Sequence, residues 1–136
     1  MGDIANKGKE AEFELVHAFL ERLWQRWESK RWNPKLLAVP GNHDLTRPKS
    51  LRAPHKDLLS SHRKPTVGEV IWGEDPDDRY RPIIEKGFAN YLAWWEEQGP
   101  RRPAVQEGDL PGEFCAVIPG KGGQKLGIMG LNNGCR

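Results

Sequence analysis

Residues 9 to 40, "KEAEFELVHAFLERLWQRWESKRWNPKLLAVP", constrain the fold more than any other stretch, because their hydrophobic period changes once and abruptly. Leu15, Phe19, Leu23 and Trp27 recur every four positions, and Ala11, Val16, Leu20 and Trp24 widen the stripe. That spacing predicts an amphipathic helix over residues 9–30 with its charged residues on the other face. Asn33 precedes Pro34 and is pushed out of helical geometry, so the helix must stop there. "KLLAVP" then runs apolar without a break, as a strand buried on both faces does. A helix feeding a buried strand calls for a sheet with a helical layer, an α/β arrangement.

The rest of the chain supplies further elements. A second helix is expected from about Arg81 to Gln98, with Pro82 in its first turn and Ile84, Phe88, Tyr91, Leu92 and Trp95 on its apolar side. "EFCAVIP" and "KLGIMGLN" read as two strands of a hairpin joined by the glycine-rich "GKGGQ". Between Leu45 and about Asp78 there is no period. This insert starts basic, with Arg47, Lys49, Arg52, Lys56, Arg63 and Lys64, and ends acidic in "GEDPDD". His55 and His62 within it read as surface residues, and His17 as a helix residue without a metal role. The whole reads as one domain in three parts: 1–44, 45–110 and 111–136.

Much of the apolar content lies in six Trp and four Phe, so the core must rest on a few large rings. Trp24, Trp27, Trp94 and Trp95 are assigned to it. A net charge of +2 is too balanced to argue for nucleic acid or membrane on charge alone. Cys115 and Cys135 match no metal or redox spacing and read as buried free thiols, with a disulfide as the alternative. There is no signal-peptide pattern and no apolar run near the roughly 20 residues of a membrane helix. The expectation is a soluble, cytoplasmic chain.

The chemistry is concentrated in two short motifs. "GDIANKG", residues 2–8, precedes the first helix, and "GNHD", residues 41–44, ends the apolar run. Together, in this order and with a helix and strand between them, they resemble the calcineurin-like metallophosphoesterase family. "LGIMGLNN" is similar, more loosely, to that family's "GLN(S/N)" strand. The resemblance implies part of an αββα sandwich with mixed sheets, and hydrolysis of a phosphomonoester or phosphodiester at a dinuclear metal centre. Asp3 and Asn42 would then be metal ligands, the carboxylate bridging two cations and the amide oxygen filling a place on one. Mn, Fe and Zn all suit such a ligand set. His43 would steady the phosphoryl charge and protonate the leaving group, with Asp44 fixing its tautomer. Arg47, just beyond, is a candidate substrate contact.

The family's "DxH" and "GHxH" motifs are not in this sequence. The expectation is therefore a fragment of an enzyme, inactive alone, whose site is completed by flanking segments or by a second chain. The substrate class stays open among nucleotides, nucleic acid ends, phosphoproteins and phospholipids, and the basic insert favours a polyanionic one. The alternative is a metal-free, non-catalytic module that binds a partner through the insert and the Trp-rich helices.

Overall fold

A computed structural model describes residues 2–47, 81–132 and 134. Those residues form three α-helices and one small antiparallel sheet, a mixed α/β structure. Helix α1 spans Glu10–Glu28, α2 Arg81–Gly87 and α3 Ala89–Glu97. Strands β1 (Val105–Glu107), β2 (Phe114–Pro119) and β3 (Lys125–Gly130) pair in the order β1-β2-β3.

Helix α1 starts where its own sequence can cap it. The Glu12 carboxylate accepts the Lys7 and Lys9 backbone N–H groups, each at 3.0 Å, satisfying donors that a helix start leaves open. These bonds, the one from Lys9 foremost, hold the Glu12 carboxyl below its ordinary range. At the other end Arg31 takes a positive φ of 60°, and Trp32 N–H closes back on the Trp27 carbonyl at 3.0 Å. This is the left-handed helix stop that glycine usually provides.

The buried side of α1 is the Val16, Leu20 and Trp24 flank of the expected stripe together with Phe13, not the line of Leu15 and Phe19. Phe13 and Trp24 are buried, with Val16 and Leu20 packed beside them, whereas Leu15 is 72% exposed and Phe19 57%. The partner decides this. Phe13 meets Tyr91 and Trp94 of α3, with ring centroids 6.2 and 5.9 Å apart, so the helix turns its Phe13 edge inward. Trp94 stands 6.3 Å from Trp95, whose ring in turn stacks on Phe114 of β2 at 6.1 Å. A chain of aromatic rings thus joins α1, α3 and the sheet, as the composition required. Trp24, Trp94 and Trp95 are buried and Trp27 is half-buried.

Three further expectations need correction. Residues 35–40 are not a strand: Leu36 N–H bonds the Arg101 carbonyl at 2.9 Å, and no strand among the described residues pairs with them. Their apolar run is still used, since Ala38 and Pro40 are buried. Second, the helix expected over 81–98 is broken at Phe88 (φ −97°, ψ 9°), next to Gly87. A Cβ on Gly87 would lie 2.5 Å from the Leu45 methyl, and its carbonyl accepts Thr46 N–H at 2.9 Å. The break lets the segment after "GNHD" dock on the helix pair. Third, Cys115 is a free thiol but an exposed one, because it lies on the outer face of the sheet.

The expected hairpin is present, and its strands pair with Cys115 opposite Met129 and Ala116 opposite Ile128. Gly122 and Gly123, at φ 67° and 78°, make its turn. Strand β1, not anticipated from the sequence, adds three residues on the far edge of β2. Among the described residues no helix is long and apolar enough to cross a membrane. Cys135 and the insert residues Lys49, Arg52, His55, Lys56, His62, Arg63, Lys64 and "GEDPDD" lie outside the described residues.

Candidate functional site

The two motifs, about forty residues apart, meet. Their backbones come so close that a Cβ on Gly2 would lie 2.8 Å from Gly41 Cα, and one on Gly41 would run into the Asp3 carboxylate. Gly8 sits at φ 59°, and a Cβ there would be 2.5 Å from the Asp44 carbonyl oxygen. Glycine at these three positions is a condition for the approach, not an accident of composition.

Asp44 draws the segments together. It is fully buried, and its carboxylate accepts four backbone N–H groups: Asp3 at 2.9 Å, Ile4 at 3.3 Å, Ala5 at 2.7 Å and Gly41 at 2.8 Å. Each is a charge-assisted bond across a sequence gap or across the tight turn itself. The same charge, after burial, helps raise the Tyr91 phenol above its ordinary value of 10.0. Tyr91 O–H donates to the Ala38 carbonyl at 3.0 Å, so the segment entering the "GNHD" turn is tied to α3 as well.

This geometry changes the role expected for Asp44. Its oxygens bond backbone N–H groups, and the group against the His43 ring is the Asn6 carbonyl, 3.0 Å from Nδ1. A carbonyl can only accept, so Nδ1 carries the hydrogen and Nε2 is left for other partners. A carboxylate buried under four donors has no reach left for a neighbouring ring. Asp44 is therefore a bracket for the backbone, and Asn6 the residue that sets the tautomer of His43.

Asp3, Asn42 and His43 are all exposed at this junction. Asp3 has a positive φ of 61°, and its Oδ1 accepts His43 N–H at 2.9 Å, which fixes the carboxylate beside the turn. Arg47 is exposed at the end of the described stretch and is brought to none of these groups by a hydrogen bond or ion pair among the described residues. A second layer supports the first. The Gly8 carbonyl accepts Thr46 Oγ1 at 2.6 Å and Asn90 Nδ2 at 2.8 Å. The C-terminal segment also arrives here: a Cβ on Gly134 would be 2.7 Å from the Gly41 oxygen, and Asn132 Oδ1 accepts Gly134 N–H at 2.8 Å.

Asn6, Thr46, Asn90 and Gly134 were not singled out from the sequence. Asn6 lies inside the "GDIANKG" motif, which is a signal of place though not of role. Asn90, the second residue of α3, lies in no motif and carries no comparable signal.

One carboxylate and one amide at the rim cannot by themselves hold two cations. Among the described residues no group of three or more His, Cys, Asp or Glu side chains is placed to bind a metal. No family model matches the chain, and comparisons with curated proteins and with solved structures find no match.

Proposed function

We propose that this chain is part of a calcineurin-like metallophosphoesterase domain, an αββα sandwich, in which the junction of residues 2–8 and 41–46 forms one side of the phosphate-ester site. The observation that carries the reading is the Asp44 bracket. It gathers Asp3, Ile4, Ala5 and Gly41, and so brings Asp3, Asn42 and His43 to one exposed rim. Asp3 and Asn42 offer hard oxygen donors of the kind Mn, Fe or Zn accept. The bound metals would supply the Lewis-acid charge and the activated water. His43 would handle the proton of the leaving group through Nε2, held in place by Asn6, and Arg47 would approach the substrate. The ligands missing from the rim come, in this reading, from other segments of the domain or from a second chain, so the chain alone is inactive.

The second reading, a metal-free binding module, draws on the same rim: one carboxylate is too little for a dinuclear centre. Titrating Mn²⁺ into the isotopically labelled chain separates the two. Selective paramagnetic broadening of the Gly2, Asn42 and His43 amide signals, lost in Asp3→Asn, is the expected result. Broadening that ignores these residues, or that persists unchanged in Asp3→Asn, would favour the module. Manganese-dependent turnover of a chromogenic phosphodiester, abolished by His43→Ala, would show instead that the site is complete without further ligands.

A further inference from the structure

The segment between α1 and Leu36 carries a surface feature with no part in the site just described. Lys30, Arg31, Trp32, Asn33 and Lys35 are all exposed, and Trp32, one of the largest apolar residues in the chain, shows 60% of its surface. No acidic residue lies between Ser29 and His43, so the three cations there are undiluted in sequence. The Lys30 ammonium stands 5.6 Å from the centroid of the Trp32 ring, close enough for a cation–π contact that orients the indole at the surface.

The backbone holds this arrangement. Lys30 N–H bonds the Trp27 carbonyl at 2.9 Å, Arg31 N–H the Glu28 carbonyl at 2.8 Å and Trp32 N–H the Trp27 carbonyl at 3.0 Å. Arg31 occupies the left-handed position, at φ 60°, where glycine would be less strained. The position thus keeps a cation at a conformational cost, and the tryptophan beside it stays out of a core that takes in Trp24, Trp94 and Trp95.

We propose that Lys30, Arg31, Trp32 and Lys35 form a binding patch for single-stranded nucleic acid, with one base stacked on Trp32 and phosphates paired with the three cations. The ligand class follows from the two chemistries held together. Cations alone suit any polyanion, and an exposed ring alone suits any apolar partner. A flexible chain alternating phosphates with π-faces satisfies both, which is how sequence-tolerant single-strand sites work. The inference goes beyond the phosphoesterase reading and does not rest on it, because binding is read without metal and without turnover.

The test is fluorescence anisotropy of a labelled oligo-thymidylate of about twelve nucleotides, a length within the usual range of single-strand sites. Trp32→Ala is expected to weaken binding about tenfold, in line with loss of one stacked base. With three phosphate contacts, log affinity should fall against log salt with a slope of about −2, reduced in Lys30→Gln/Lys35→Gln. Arg31→Gly provides the control that folding cannot mimic: it should raise the unfolding midpoint by relieving the left-handed strain, and yet weaken binding. Affinity unchanged in Trp32→Ala would overturn the proposal, since binding would then run through other basic residues. Equal affinity for a sulfated polysaccharide, a polyanion without rings, would overturn it as well.

Discussion

At the junction of residues 2–8 and 41–46, polar side chains organise backbone; in the β2–β3 hairpin, backbone pairing carries an outer row of side chains that nothing covers among the described residues. Asp44 is fully buried and spends its carboxylate on four N–H groups, and glycine at three positions removes a Cβ that would keep the two segments of the junction apart. In the hairpin the inner residues Phe114 and Ala116 are buried, whereas on the outer face Val117 is 61% and Met129 68% exposed. The junction is specified residue by residue. The hairpin is specified by register, and its outer face tolerates whatever the register allows. The rim at which the candidate chemistry sits therefore rests on the more demanding of the two constructions, as a preorganised site requires.

The largest expected effect breaks the junction. Asp44→Ala orphans four backbone donors, those of Ala5 and Gly41 in buried bonds and those of Asp3 and Ile4 in half-buried ones, and should cost about 4 kcal/mol, a large part of the stability of a small domain. Urea denaturation measures it, and a loss below about 1 kcal/mol would mean the bracket is not what holds the motifs together.

A smaller effect probes the tie between junction and α3. Tyr91→Phe removes the bond to the Ala38 carbonyl and should cost about 1 kcal/mol near neutral pH. Burial, chiefly, raises the Tyr91 phenol above its ordinary 10.0, so the unfolded chain gives up this proton first. The contribution is whole below pH 10.0 and declines as the pH rises toward the raised folded value. The advantage of the native chain over Tyr91→Phe should therefore shrink above that pH. A constant difference measured across that window would show that the phenol is not held in a buried, proton-retaining place.

Much of this was legible in the sequence, and the exceptions share a cause. The end of α1 near Pro34, the hairpin with its glycine turn and the residue types of the "GD" and "GNHD" motifs all come from signals confined to short windows: a period, a turn composition, a motif. The buried edge of α1 did not, because Leu15, Phe19 and Phe13 are equally apolar and only the position of Tyr91 and Trp94 selects among them. The role of Asp44 was misassigned for the same reason. Its sequence neighbour is His43, but its partners are Asp3, Ile4 and Ala5, some forty positions away.

The smallest effect sharpens the hairpin side of the comparison. Met129→Thr on the outer face should change stability by no more than about 0.5 kcal/mol, as for an exposed position making no special contact. A loss above about 1 kcal/mol in the same denaturation experiment would show that this face is covered in the protein in solution, and would bring the two regions closer in kind.

By itself the sequence determined what is local: where the first helix starts and stops, which turns need glycine, and which residue types stand ready at the junction. Those depend on backbone sterics and on side chains a few positions apart. Only the tertiary structure decided which apolar edge of α1 is buried, that residues 35–40 pack without pairing, that the second helix breaks at Phe88, and that Asn6 rather than Asp44 faces the His43 ring. Each of these is a competition between several chemically suitable partners, and proximity in space, which the order of residues does not encode, settles which one wins.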